Sequence, residues 1–212
     1  MAVAMSTKND RSAGTLSRLR ADLTERLILD AALHTLERGS VEGLTVGAVA
    51  KQAGISERTV FRYFASREVF LDAVAQELAR RMNLPPPPSS LAELQAYPRA
   101  LYEGFEANNS VLKVAVRSEL FQRLVATSAK ERWVAVRRII DDYAPRAPER
   151  ARKIAAANIR FYLGASTWHY FRFLLGFGLE DTIACAETAV GQSLAGLIAS
   201  PAKQAPRRRA AS

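Results

Sequence analysis

The stretch at residues 45–64, TVGAVAKQAGISERTVFRYF, decides how the rest of the chain is read. Thr45 can cap a two-turn helix over 45–52 by accepting a backbone N–H at its start. Ala53 and Gly54 then make a tight turn, where glycine takes a positive φ without steric cost. Ser56 caps a second short helix over 57–63. Val46, Val49, Ala50, Ala53, Ile55 and Val60 can all turn inward, and Ala50 is small where the two helices would cross. The second helix is left exposing Arg58, Thr59, Arg62 and Tyr63. Within 44–67, Lys51, Arg58, Arg62 and Arg67 stand against Glu57 alone, a net of +3.

Two short helices meeting across a glycine turn have the geometry of a helix-turn-helix. An α-helix fits the major groove, and side chains near its N-terminus reach base edges. Helix N-termini and the hydroxyls of Thr45 and Ser56 favour phosphate. A helical hairpin inside an ordinary bundle explains the apolar pattern equally well. It does not explain a second helix whose exposed positions can nearly all hydrogen-bond to DNA.

Outward from this motif the pattern stays helical, with apolar residues recurring at three- and four-residue steps. A first helix can start near Asp22, with Glu25 as its capping partner. Ile28, Ala32 and Leu36 line one face, Leu29 and Leu33 flank it, and Gly39 stops it. Residues 1–20 read as a flexible arm. Its Arg11, Arg18 and Arg20 either move freely or enter a minor groove. Ser66 caps a helix running to about Arg81. The prolines at 85–88 form a stiff, extended spacer. Later breaks predict helices near 90–107, 110–127, 128–143, 149–175 and 180–199. The expected fold is all-α, with a three-helix helix-turn-helix head at 21–84 and a larger helical bundle at 85–200. Residues 201–212 read as a disordered basic tail.

The run Ile28, Ala31, Ala32, Leu36, Gly39, Gly43-Leu44-Thr45-Val46, Val49-Ala50, Ala53-Gly54-Ile55-Ser56, Thr59-Val60-Phe61, Tyr63-Phe64, Ser66-Arg67-Glu68 and Leu71 resembles the DNA-binding domain of TetR-type transcriptional regulators. The resemblance implies that Thr45 and Ser56 bond phosphates. It implies that Arg58, Thr59 and Arg62 face the major groove, the arginines reading guanine O6 and N7. Tyr63 and Arg67 would hold the phosphate backbone, with Thr24 and Arg26 as weaker candidates. The chain departs from the family at Phe61, where tyrosine is common, so one phosphate bond cannot form there. The resemblance also implies a homodimer through the last two long helices, double-stranded DNA with a palindromic operator as partner, and an unknown small-molecule effector.

The body supports the dimer on physical grounds too. Ala184, Thr188, Gly191 and Ala195 form a row of small residues that lets helices approach closely, beside the row Ile183, Glu187, Val190, Leu194 and Leu197. The helix at 149–175 is apolar nearly all round from Ile159 to Leu175, which reads as buried on every side, one side as a dimer contact and another as a cavity wall. Tyr102, Phe105, Phe121, Trp133, Trp168 and His169 can line a ligand cavity, with Asn108, Arg117 and His169 as polar anchors. Plain core packing is the alternative for each of them.

Composition narrows the function classes. The 212 residues are 49% hydrophobic and 24% charged, which is globular. The net charge of +9 favours a polyanionic partner. Its distribution is uneven: the last twelve residues carry +4 through Lys203, Arg207, Arg208 and Arg209. One cysteine, Cys185, and two histidines, His34 and His169, leave no basis for a disulfide within the chain or a metal centre. No phosphate loop, nucleophile elbow or metal-ligand spacing appears, so neither catalysis nor a cofactor is expected. The most apolar stretch, 154–175, carries Arg160, His169 and Arg172 and reads as buried protein and not as a membrane span. The expected compartment is the cytoplasm. The leading expectation is a repressor released from its operator by a small molecule. Two others stay open: a DNA-binding factor with no effector, and a small helical enzyme or carrier using the body's pocket.

Overall fold

The computed structural model describes residues 6–38 and 44–199. The described residues are helical throughout, without a strand, and the helices are α1 (Ser6–Glu37), α2 (Val46–Ala53), α3 (Glu57–Tyr63), α4 (Arg67–Met82), α5 (Leu91–Ala107), α6 (Asn109–Ala115), α7 (Leu120–Ala126), α8 (Ala129–Tyr143), α9 (Glu149–Tyr162), α10 (Ala165–His169) and α11 (Leu179–Ala199). Gly39, Gly43 and the basic tail at 201–212 lie outside the described residues.

The first correction is at the N-terminus. The expected flexible arm at 1–20 is helical from Ser6 onward and continuous with the helix that carries Ile28. Asp22 therefore sits inside a helix and caps nothing. Thr24 behaves accordingly: its hydroxyl donates to the Arg20 carbonyl four residues back, at 2.8 Å. From Ser6 to Arg20 the stretch holds no proline, and its three arginines and two leucines tolerate a helix interior, whereas Gly14 does so at a cost.

The chain divides into two compact units, Met1–Arg81 with Lys113–Leu124, and Met82–Leu112 with the rest. In the first, α1 packs on α2 and α2 on α3. Ile28, Ala32 and Leu36 are fully buried on the predicted face of α1, with Val49, Val60 and Leu71 opposite. Each such large apolar side chain contributes ~1.5–3 kcal/mol on burial. Phe64 meets Phe70 edge to face at 5.5 Å, locking the end of α3 onto α4. Arg81 pairs with both Asp30 and Glu77, tying α4 to α1. Residues 113–124 belong to this unit although they follow the proline run. Arg123 reaches Asp72, and Arg67 forks onto Glu119.

In the second unit α11 packs on α9 and α5, and α8 packs on α9 and α5. Pro98 sits buried within α5 without ending it. Two predicted helices are interrupted. The segment 110–127 divides into α6 and α7. The segment 149–175 divides at Leu163-Gly164 into α9 and α10, followed by a π-helical turn over Tyr170–Leu174. The Leu175 amide donates to the Tyr170 carbonyl, the five-residue reach of such a turn. That segment is not buried all round either: Phe161 is 65% exposed and Leu174 70%. Among the described residues the helix long and apolar enough to cross a membrane is instead Leu179–Ala199. It buries Ile183, Ala186, Val190, Leu194 and Leu197 along one face.

Candidate nucleic-acid interface

The caps of α2 and α3 repeat one design. Thr45 is extended, and its Oγ1 accepts the Ala48 amide at 3.1 Å. Ser56 is extended, and its Oγ accepts the Thr59 amide at 3.2 Å and shares a 2.9 Å bond with the Thr59 hydroxyl. Between them Gly54 stands at φ 68°, ψ 29°, and its N–H closes α2 by donating to Ala50 and Lys51 carbonyls. An L side chain is strained in that left-handed region. At Gly47 a Cβ would lie 2.7 Å from Glu57 Oε1, the end of an exposed side chain that can swing aside. Val49, Ala50 and Val60 close the contact between the helices.

With that side buried, α3 presents Arg58 and Arg62 to solvent, Thr59 and Tyr63 being half-buried. Arg58 and Arg62 make no ion pair with the described residues. Arg62 lies over the Tyr63 ring at 5.5 Å, which orients it without neutralising it. Phe61 is 44% exposed on the same helix, an apolar surface among polar ones. Such a ring suits contact with a thymine methyl. Arg67 is placed differently from the rest. Its guanidinium is held by Glu119, whose carboxyl is drawn below the usual range by that hydrogen bond. Arg67 would have to leave or share Glu119 to meet a phosphate.

Residues 28–74 match the family model of bacterial regulatory proteins, tetR family. The head is therefore similar to that of TetR-type regulators. The chain is 33% identical over 61 residues to the tetracycline repressor protein class D of Escherichia coli, and equally so to the class H repressor of Photobacterium damsela subsp. piscicida. The match covers 29% of this chain and spans 28% of each repressor, so it rests on the head. Two solved structures extend the likeness of fold to most of the chain. A tetR-family transcriptional regulator from Streptomyces coelicolor gives a TM-score of 0.55 at 18% identity, over 84% of this chain and 81% of that one. A protein of Pseudomonas aeruginosa PAO1 gives 0.57 at 19% identity, over 81% and 90%. The TetR-type head is thus joined to an all-α body of the same fold.

The predicted cavity residues of that body are dispersed. Tyr102, Phe105 and Trp168 come together, but as a closed core. Tyr102 and Trp168 are fully buried, with ring centroids 5.9 Å apart for Tyr102–Phe105 and 5.8 Å for Phe105–Trp168. The Tyr102 hydroxyl donates to the Tyr162 carbonyl, and burial pushes its phenol up. His169 is half-buried with its ring against Phe173. Trp133 is half-buried on α8, whereas Phe121 falls in the same unit as the head. Asn108 is committed to the Gly104 and Met82 carbonyls. Arg117 lies exposed in the head's unit.

Sequence reading missed two features of the body. One is a polar network: Glu106 accepts from Trp168 Nε1 at 3.3 Å and from Arg172 Nε at 3.0 Å, and Arg172 also donates to the Phe177 carbonyl. The partners are more than sixty residues apart, so no local spacing announces them. The other is an open cleft of about 540 Å³ bordered by Tyr162, Phe171, Phe177, Asp181, Cys185 and Thr188. None of the six predicted ligand residues borders it. Among the described residues no group of histidine, cysteine and carboxylate side chains could hold a metal ion.

Proposed function

We propose that the chain is a homodimeric, sequence-specific DNA-binding transcriptional regulator, a repressor released from a palindromic operator by a small molecule bound in its C-terminal body. The observation that carries this reading is α3: a capped helix with Arg58 and Arg62 exposed, unpaired and on the side away from its core. Arg58 and Arg62 read guanine, Thr59 reaches a base edge, and Thr45, Ser56 and Tyr63 hold phosphates. Arg67 joins them by exchanging Glu119 for a phosphate.

The dimer reading is supported by α9 and α11. Ala184, Thr188, Gly191 and Ala195 are all exposed, so the small row is not used inside the protomer. Phe161, Ile154 and Ile198 are exposed on the same two helices, at 65%, 50% and 69%. A two-fold axis there pairs two heads with two half-sites. An effector that binds the body better in a form with mis-spaced heads shifts the population away from DNA. Coupling of this kind is typically ~1–3 kcal/mol. Helix α4 carries the change, because the chain passes from it into the second unit.

The test is selection of bound sites from a random duplex pool at fixed, near-physiological salt, since phosphate contacts make affinity steeply salt-dependent. A recovered palindrome supports the reading. Recovery of no motif, with binding that vanishes as salt rises, leaves only nonspecific charge attraction.

A further inference from the structure

The open cleft of the second unit is lined by aromatic rings and by one face of α11. Phe171 and Phe177 stack there, with centroids 5.9 Å and planes 17° apart, and Tyr162 borders the same space. Asp181, Cys185, Thr188 and Gln192 follow one another at helical steps, so α11 turns all four into the cleft. The Asp181 carboxylate, the Thr188 hydroxyl and the Gln192 side-chain amide make no hydrogen bond or ion pair with the described residues. Among those residues no lysine or arginine borders the cleft. Its volume, about 540 Å³, lies within the roughly 300–1,000 Å³ of small-molecule sites.

Irregular backbone presents the rings. The π-helical turn carries Phe171, and Gly176 takes φ 72° just before Phe177. Such turns interrupt a helix and are frequent at functional sites. The Phe177 amide donates to the Phe171 carbonyl at 2.9 Å, which ties the two ring-bearing residues together. Arg172 donates to the Phe177 carbonyl at 2.6 Å and is itself held by Glu106 at 3.0 and 2.6 Å. The stacked pair is thus formed in advance, and a ligand does not have to order it. An exposed carboxylate is solvated at little cost and by itself indicates no ligand. Beside aromatic faces, which carry negative potential, it adds to a field of one sign. An anion would meet that field without a counter-charge, whereas a flat cation matches both its charge and its stacking surface.

We infer that the cleft between the π-helical turn and α11 binds a flat aromatic cation, and that this cation is the effector. Its role as effector rests on the regulator reading above; its binding does not. Ala184 and Thr188 border the cleft and belong also to the small row assigned above to the dimer. The bound cation therefore lies at the edge of the contact between copies, where its presence alters how they pair. The full-length protein is titrated with N-methylquinolinium, and with naphthoate as an anion of similar shape, following the heat of binding.

The cation should saturate the protein with half-saturation at millimolar concentration or below, and naphthoate should bind at least ~10-fold more weakly. Asp181→Asn should weaken the cation about 2- to 5-fold, the contribution of a partly exposed ion pair. Asp181 is exposed and has no partner to abandon, so this variant should fold as the parent does. Phe171→Leu keeps apolar bulk, removes a ring face and should also weaken the cation. Cys185 is the one thiol of the sequence and borders the cleft, so saturating cation should slow its alkylation by iodoacetamide. Unchanged affinity in Asp181→Asn, equal binding of naphthoate, or cation binding that leaves the Cys185 rate unaltered would each overturn the inference. So would a Cys185 that does not react in the free protein, because the second copy would then fill the cleft. Operator selection on the same preparation separates the two readings. Cation binding with no recovered operator keeps the site and removes the regulator; an operator with no cation binding does the reverse. Where both are found, the cation should lower operator affinity, and an unchanged affinity would overturn its role as effector.

Discussion

The arginines of α3 and three half-buried arginines of the body are treated in opposite ways. On α3, Arg58 and Arg62 are exposed and unpaired, and water solvates them at little cost. In the body, Arg137, Arg152 and Arg172 are half-buried and each is matched by carboxylates. The difference is what desolvation predicts: charge in water needs no partner, and sheltered charge does. An unmatched arginine on α3 is therefore permitted by solvent and informative only through its neighbours on the same helix.

The largest expected effect tests the exposed half of this contrast. Arg58→Ala with Arg62→Ala should cost operator affinity about 2–6 kcal/mol, taking ~1–3 kcal/mol for each base-reading pair. Stability should stay within ~0.5 kcal/mol, because neither side chain has an ion pair to abandon and Arg62 loses only a surface contact with the Tyr63 ring. Titration of the selected operator and urea unfolding of the same variant check both numbers. Arg172→Ala should behave in the opposite sense. It strips Glu106 of its main partner and leaves the Phe177 carbonyl without a donor. A loss of about 1–3 kcal/mol in stability is expected, discounted for partial exposure, with operator contacts untouched. If Arg172→Ala cost nothing, the contrast between the two regions would fail.

The same contrast explains what was legible in the sequence. The head could be read because its determinants are local. Thr45 to Ala48, Ser56 to Thr59 and Gly54 to Ala50 are bonds spanning three or four residues. The body could not, because Glu106 meets Arg172 and Tyr102 meets Tyr162 across sixty residues or more. Periodicity marks 149–175 as one apolar helix without showing that Gly164 and the π turn interrupt it. Aromatic content marked Tyr102 and Trp168 without distinguishing core from cavity. The N-terminal segment failed for another reason. Its leucines at 16, 19, 23 and 27 recur at helical spacing although they are exposed, so the helical signal is present and is masked by the polar, basic residues around it.

Ser56→Ala probes the local logic of the head at a smaller scale. Removing the cap of α3 takes away the side-chain acceptor of the Thr59 amide, leaving it the Ser56 carbonyl, and should cost about 1 kcal/mol in stability. Because α3 carries the reading residues, operator affinity should fall as well, but by less than in the double arginine variant. Ser56→Thr keeps an acceptor and should recover most of the stability. A variant that lost affinity at unchanged stability would mean that the hydroxyl acts on phosphate more than on its own helix.

The smallest effect comes from Glu77, where the head contains a matched cluster of its own. Its carboxylate takes hydrogen bonds from Arg80 first and from Arg81, and they hold its pKa at about 2. An unfolded glutamate titrates near ~4.3. A carboxylate lowered in the folded state stabilises that state above the unfolded value, and the contribution is lost as pH falls toward the folded one. Both arginines are exposed, so the whole contribution should stay below about 1 kcal/mol. Urea midpoints of the parent and of Glu77→Gln should differ most at pH 7, begin to converge near pH 4, and nearly meet by pH 2.5. A difference that did not change with pH would locate the role of Glu77 in the packing of its stem on α4 and not in its charge. The head would then resemble the body less than its ion pairs suggest, since only sheltered pairs would be contributing through charge.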